Sequence, residues 1–527
     1  MTAGTRWTGR AVVGGVSMVS IGMFLAVALL RLSYPFDLEW MEGGSVDHVV
    51  RVLAGQPLYV APQVTFIPYE YPPLYFWLSA AVARLTGVGY LPLRLVSLVS
   101  TLAVFWCLAR LVLEETGRWL PGLLAAGLYA ATFRASGAWF DLARVDSLLL
   151  ALFLWGLVII RTRRSQAGHV WAGLIWTAAF LTKQPALAMA APVVLHEVVF
   201  AWRRGVWLAA TLVLGVGLTS WGLHLATDGW FTFYVWAYPF KHAFTDRAAW
   251  TFWTTDLLAP LPIATLAAVA LLVRLGLQRQ RSAWFWTAAA VGLIGAAFRS
   301  RLQSGGYDNV LMPAYAAVAL LAAMLVHHEW AIAERAPEEQ EPGRTWRGAL
   351  ATTLCVLQCG WLAYDPRPLV PSEADRRANA AMQARLGRVA GPVLLPYHGY
   401  YSTAAGKGMT AHLMQVYDIL KVGDAHSAEL AAQFRRAIRA QAFGAIVLDD
   451  TRVYYFMDAV NEAYEKRETL FEQAGVGLPV TGGIVARPEL LYLPRVRPEA
   501  EAGRLATEVL QERLSGQRVV PPTGVIE

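Results

Sequence analysis

The chain reads as mainly α: a polytopic bundle of membrane-crossing helices with a small α/β domain at its C-terminal end. Three observations carry that reading. In 527 residues, 56% are hydrophobic and only 16% charged, too apolar for a water-soluble protein of this size. Apolar stretches of near-spanning length alternate with short polar loops up to about residue 365, and the composition then becomes that of a soluble domain. Within the first part, basic residues gather beside apolar runs in short clusters (Arg161, Arg163 and Arg164; Arg203 and Arg204; Arg279 and Arg281), as cytoplasmic loops do. Residues 1–365 are therefore expected to form a transmembrane module and 366–527 a separate domain.

Taken in order, Arg6 and Arg10 precede an apolar run over 11–30 that is too long for a signal-peptide core and lacks a small-residue cleavage site, so it reads as an uncleaved first helix with its N-terminus inside. Residues 33–72 then lie outside. Segment 74–88 is short for the roughly 20 residues a span needs, and the inside cluster at Arg161 puts residue 141 outside like residue 72, so an even number of crossings links the two and 74–88 reads as an interfacial helix. Spans follow near 91–112, 119–139, 146–160, 168–182, 185–201, 206–226, 253–275, 283–299, 308–327 and 347–364. That makes about eleven crossings and puts the C-terminus outside. In the last third, PVLLP (392–396) and FGAIVLDD (443–450) read as short buried strands, 426–442 and 455–470 as helices, and the tail after about 500 as one further helical stretch with a loose end.

The net charge of +7 does not indicate nucleic acid, because no basic face laced with aromatics accompanies it. Cys107, Cys355 and Cys359 all fall in apolar segments and build neither a disulfide framework nor a zinc site. His398 and His412 lack a third ligand at metal spacing.

Potentially reactive residues collect in loops on one predicted face. Loop 34–60 carries Asp37, Glu39 and Glu42; the two glutamates, three apart, point to one spot on a helical turn, as they also do in a plain interfacial turn. Asp47 and Arg51, at i and i+4, read as a surface ion pair. WFDLARVDSLLL (139–150) offers Asp141, Arg144 and Asp146, the last suited equally to capping the next helix. Lys183 stands between two apolar helices, where lysines commonly snorkel. FRSRLQSGGYDNV (298–310) sets Arg299, Arg301, Tyr307 and Asp308 beside Gly305 and Gly306; arginine suits bidentate phosphate binding and glycine lets a bulky group approach. Loop 227–252 adds Lys241, His242, Asp246 and Arg247 among aromatics, as a lip for lipid or acceptor or as an interfacial belt.

The acidic first loop, ending in the aromatic-acidic-aromatic-Pro-Pro-Leu element Tyr69 to Leu74, resembles the GT-C membrane glycosyltransferases, in particular the protein O-mannosyltransferase and aminoarabinose-transferase branch, over about residues 10–330. The resemblance implies a transferase that takes a sugar from a polyprenyl-phosphate carrier and hands it to a glycan, lipid or protein at the extracytoplasmic side of a cell membrane (the periplasm, in a Gram-negative cell). It implies a first-loop acid as base, with Glu42 at a family-like spacing before Gly55. Met41 replaces the aspartate that usually precedes that acid, which leaves Asp37 and Glu39 as the other candidates. It further implies Glu70, Tyr307 and Asp308 in acceptor or donor positioning, and Lys183, Arg144, Arg299 and Arg301 on the donor phosphate. Asp146, or Asp141, would hold a divalent cation (Mg, Mn or Zn) or orient the donor. Tyr71 stands where many relatives have lysine. Glu42→Gln is then expected to abolish transfer and leave expression intact. The rival reading is a transporter or flippase for a lipid-linked glycan, marked by internal repeats and charges deep within spans; a non-catalytic scaffold is a third.

Overall fold

A computed structural model describes residues 3–241, 244–335, 342–450, 455–485 and 487–495. His242 and the tail after 500 lie outside these. The described residues pack as two units: those within 1–60, 69–372 and 479–485 form one, and those within 61–68, 373–478 and 487–495 the other. Each unit thus claims a short piece of chain from within the other's sequence.

The first unit is all helix. It begins with α1 (Ala3–Leu32), α2 (Glu42–Leu53), α3 (Leu74–Thr86), α4 (Tyr90–Thr116) and α5 (Trp119–Ala131). In α2 an acid, Glu42, occupies the first turn and a base, Arg51, the last, each complementing the helix dipole. Next come α6 (Asp146–Thr162), α7 (Gln166–Phe180), α8 (Pro185–Phe200) and α9 (Trp202–Ala226). The Ser165 hydroxyl caps α7 by accepting from the Gly168 amide, and α8 opens on Pro185, a residue whose fixed φ suits the first helical turn. Short α10 (Trp230–Thr232) and α11 (Asp246–Thr251) each run into a π-helical stretch, Phe233–Ala237 and Phe252–Leu258. The unit closes with α12 (Pro262–Leu277), α13 (Arg281–Leu302), α14 (Met312–Arg335) and α15 (Pro342–Trp361).

By length and composition, four helical segments among the described residues can cross a bilayer unaided: Gly9–Leu32, Tyr90–Thr116, Trp202–Ala226 and Asp308–Glu334. The sequence-based span over 253–275 is broken: Ala248–Leu258 and Pro262–Leu277 meet at 99°, because Pro260 and Pro262 interrupt the backbone hydrogen bonding between them. Several other expected spans are shorter than about 20 residues, such as the 13-residue α5 and the 16-residue α8. They reach their place by packing: α5 lies against α4, α1 and α14, and α8 against α13.

The α8–α13 contact depends on a missing side chain. A Cβ at Gly292 would lie 2.2 Å from the Met189 carbonyl oxygen, so the two backbones meet at a separation only glycine permits. Gly292→Val is expected to destabilise the unit by about 1–3 kcal/mol through overpacking, read as a lower midpoint of unfolding in detergent.

The second unit is a small α/β fold. Helix α16 (Glu373–Arg388) leads into β1 (Val393–Leu394), and α17 (Gly399–Ala404), α18 (Leu413–Val422) and α19 (Ala425–Arg439) return the chain to β2 (Ala445–Leu448), parallel to β1. Asp424 and Ser427 form a reciprocal capping box at the start of α19. After α20 (Met457–Ala463) come β3 (Tyr464–Thr469) and β4 (Leu490–Pro494), giving the strand order β1-β2-β4-β3. The expected helix over 455–470 is therefore half strand: Tyr464–Thr469 pairs antiparallel with β4 and exposes Lys466, Arg467 and Glu468 on a sheet edge, where long polar side chains remain solvated. The four residues of β2 are all buried, and Phe434 of α19 stacks on Phe456, the residue before α20, at 5.2 Å.

His398 and His412 are separately engaged in this unit. His398 Nε2 lies 2.9 Å from the Asp449 carboxylate, whereas His412 Nδ1 accepts from the Met414 amide at the start of α18.

Candidate functional site

Two buried ion pairs tie the loops at one end of the first unit to its helices. Arg31, in the last turn of α1, meets Asp141 with Nε and Nη2 at 2.8 and 2.5 Å and also donates to the Ala138 carbonyl. Arg94, in the second turn of α4, grips Glu42 with Nε on Oε1 (3.0 Å) and Nη2 on Oε2 (2.6 Å), while reaching the carbonyls of Tyr34 and Phe36. The Ala143 amide donates to Oε1 of Glu42 and the Leu38 amide to Oε2. Both oxygens of Glu42 are thus fully occupied, and neither Arg94 nor Glu42 has any exposed surface. A carboxylate so surrounded by donors stays ionised, its pKa held below the usual range against the opposing effect of burial.

Glu39 has a different environment. It is equally buried, yet one charged partner, the Arg144 guanidinium, approaches Oε2 at 3.3 Å, and Oε1 is enclosed and unpaired among the described residues. Burial pushes its pKa up to about 7, with Arg144 pulling it back and Glu42 adding to the rise. An acid poised near neutrality can take and return a proton at physiological pH.

From Glu39 a continuous path of contacts runs to the second loop. Arg144 Nη2 donates to the Tyr71 hydroxyl at 3.1 Å. The Tyr71 ring lies between two cations, 5.9 Å from the Arg144 guanidinium carbon and 5.4 Å from Lys183 Nζ. Lys183 in turn binds Asp146 Oδ1 at 2.7 Å. Asp146 and Lys183 line a cavity of about 20 Å³ with Ser300 and Asn309, room for about one water molecule. The neighbouring Gln184 anchors the turn by donating to the carbonyls of Glu70 and Val235.

The structure thus joins Glu39, Arg144, Lys183 and Asp146 in one network and sets Glu42 behind it. Asp37, also buried, lies close enough to Glu39 to add to its rise in pKa. Arg299 is exposed and stacks on Phe244 at 5.0 Å, away from the network. Arg301 spends its fork on Asp256 at 2.8 and 2.9 Å and on the Gly306 carbonyl, with Asp308 at 3.4 Å. A phosphate role for Arg301 has to displace Asp256, a partner the sequence reading did not consider. Asp47 and Arg51 are buried rather than on the surface, and Arg51 caps the Pro57 carbonyl.

The two carboxylates proposed for a metal do not suit one. Asp141 is committed to Arg31 and Asp146 to Lys183, and no group of three or more His, Cys, Asp or Glu side chains among the described residues could hold an ion. Cations already occupy the places where a divalent ion would bring positive charge.

Sequence reasoning missed Arg31 and Arg94. The available signal was a charged residue inside the apolar run 91–112 and another directly after the run 11–30, each of which needs a partner if buried. It also missed the segment Pro479–Val485, which belongs to this unit although more than a hundred residues of the other unit precede it. The Thr481 amide donates to the Leu38 carbonyl at 3.1 Å, and its hydroxyl bonds the Gly137 carbonyl.

Comparison with known structures identifies the architecture. The crystal structure of ArnT from Cupriavidus metallidurans in its apo state superposes with a TM-score of 0.56 at 13% identity, over 96% of this chain and 99% of that one. The fold is GT-C. The same ArnT bound to undecaprenyl phosphate gives a TM-score of 0.54 at 12% identity, over 92% of this chain and 98% of that one. A second structure, the archaeal oligosaccharyltransferase AglB from Archaeoglobus fulgidus in complex with an inhibitory peptide and a dolichol-phosphate, gives a TM-score of 0.51 at 11% identity, over 85% of this chain and 72% of that one. Residues 70–222 match the family profile of dolichyl-phosphate-mannose-protein mannosyltransferases. No curated protein is similar in sequence. The matched stretch opens at Glu70 and includes Tyr71, Arg144, Asp146 and Lys183.

Proposed function

We propose that this multi-pass membrane protein is an inverting glycosyltransferase that moves a sugar from a polyprenyl-phosphate carrier to an acceptor at the extracytoplasmic face. The observation that carries the proposal is the network from Glu39 through Arg144, Tyr71 and Lys183 to Asp146, which sets a carboxyl near neutrality beside two cations. The ArnT and AglB structures, each recorded with a polyprenyl or dolichol phosphate, supply the donor class by likeness of fold.

In the proposed reaction the acceptor oxygen attacks the anomeric carbon while the bond from that carbon to the phosphate oxygen breaks. Glu39 takes the acceptor proton and the carrier leaves as polyprenyl phosphate. A single displacement from the face opposite the leaving group inverts the anomeric centre. Lys183 and Arg144 stabilise the charge that develops on the departing phosphate, where fixed cations in a dry site act most strongly. Asp146 aims Lys183 and keeps it charged. Because cations of the chain do this work, transfer is expected to persist in excess EDTA; loss of activity restored by a divalent ion overturns the metal-independent form.

Lys183→Met is expected to weaken binding of polyprenyl phosphate by about 10–100-fold, the loss of one charge-assisted hydrogen bond, as measured by calorimetric titration in nanodiscs. Unchanged affinity removes Lys183 from the donor site. The reading as a whole is tested by incubating the purified protein in detergent with a panel of radiolabelled polyprenyl-phosphate sugars and candidate glycan, lipid and peptide acceptors. An enzyme consumes donor without a gradient; a flippase or transporter leaves every donor intact.

A further inference from the structure

The segment Pro479–Val485 reaches the Glu39 end of the network. Its Thr481 fastens to Leu38 in the first loop and to Gly137 in the second. The next two residues are glycines, Gly482 pressed against Glu39 of the network and Gly483 against Tyr307. A Cβ built on Gly482 would stand 2.6 Å from Glu39 Cγ and 3.5 Å from Glu39 Cβ, and one on Gly483 would fall within 1.9 Å of the Tyr307 ring. Gly482 also has φ +104°, a conformation that side chains rarely adopt. One short strap thus reaches the loop of Glu39, the loop before Asp146 and the turn that carries Tyr307, and it touches two of them with bare backbone.

We propose that Gly482 and Gly483 are positioning residues of the transfer site, forming a roof that holds the Glu39 carboxyl against Arg144 and the Tyr307 ring beside it. The inference rests on the glycosyltransferase reading for its chemistry and on the strap geometry alone for its placement. Glu39 has no exposed surface beneath the strap, so the roof also excludes the water that would otherwise solvate the carboxylate. A methyl group at position 482 has to push Glu39 aside or lift the strap. Either movement separates the acid from Arg144 or admits solvent.

Two measurements test this, one of them independent of activity. In the Glu39→Cys/Gly482→Cys protein the two Cβ positions fall at the 3.5–4.5 Å that a disulfide needs, so mild oxidation is expected to link them in high yield, identified by mass spectrometry of the digested protein. Glu39→Cys/Gly475→Cys is the comparison and is expected to stay unlinked. Failure of the first pair to link overturns the roof, whatever the activity.

The second measurement compares Gly482→Ala with Gly475→Ala. Gly475 has a similar positive φ, +76°, but open space where its Cβ would go, so it carries the backbone strain without the collision. Gly482→Ala is expected to lower kcat at least tenfold with donor KM nearly unchanged, and to displace the acid limb of the pH profile; Gly475→Ala is expected to do neither. Equal behaviour of the two variants overturns the positioning role. A disulfide that forms while the wild-type protein consumes no donor sugar overturns the transferase reading, and with it the positioning role in transfer.

Discussion

Glu39→Gln is expected to fold as the wild type does and to lose transfer by about 10²–10⁴-fold, the usual contribution of a general base. The amide fits the space of the carboxyl but cannot accept the acceptor's proton. The pH dependence supplies an independent signature. With the Glu39 pKa near 7, the wild-type rate is expected to rise with pH through neutrality as the carboxyl ionises. Stability is expected to move the other way. Between about pH 4.5 and 7 the folded protein holds a proton on Glu39 that the unfolded chain has released, so raising the pH through that window costs folding free energy. The interval from 4.5 to about 7, at about 1.36 kcal/mol per pH unit, puts the loss at about 3 kcal/mol. Glu39→Gln removes that penalty, and so should unfold at a higher temperature than wild type at pH 8 while being inactive. Such a gain in stability on removing a group is what a strained functional position produces. Full activity in the variant, or a rate that is flat across neutrality, takes Glu39 out of the chemistry.

Arg94→Met is expected to be the most damaging single exchange for the fold, destabilising it by about 3–5 kcal/mol. Methionine fills the volume but leaves Glu42 ionised with no counter-ion in a fully buried position, and the carbonyls of Tyr34 and Phe36 lose their donor. Adding Glu42→Met in the same protein is expected to recover part of the loss, because the uncompensated charge goes with it. A double-mutant cycle on unfolding in detergent measures that coupling. Additive effects would falsify the pairing. The same geometry changes what is expected of Glu42→Gln. Read from the sequence, this exchange silences a base and spares expression; with four donors converging on the carboxylate, it is expected instead to lower the yield of folded protein, and with it any activity.

Much of the architecture was legible because membrane helices announce themselves. The apolar runs at 11–30, 91–112, 206–226 and 308–327 lie in helices long enough to cross a bilayer. The break between Leu258 and Pro262 was written in Pro260 and Pro262 but lost beneath the apolar average of 253–275. Tyr464–Thr469 was misread because a short edge strand rich in Lys, Arg and Glu resembles a solvated helix until its partner, Leu490–Pro494, is known. At the site, Glu39, Arg144, Asp146 and Lys183 were recognisable as residue types in plausible loops. What the sequence could not rank was Glu39 against Glu42. That difference comes from Arg94, 52 residues beyond Glu42, and no local pattern encodes it. The strap at 479–485 was less accessible still, because a pair of glycines acquires meaning only from what it is pressed against.

The Glu42–Arg94 pair also constrains how the chain can be made. Glu42 emerges from the ribosome first, Arg94 about fifty residues later and the Ala143 amide later again. Until α4 is in place, burying Glu42 in the position it takes in the folded protein would leave a charge without its counter-ion, at a cost of about 3–5 kcal/mol. Assembly of this end of the protein therefore waits on insertion of the helices that follow. A nascent chain arrested before residue 94 should display an unsettled, protease-sensitive first loop, the feature that membrane quality control would see.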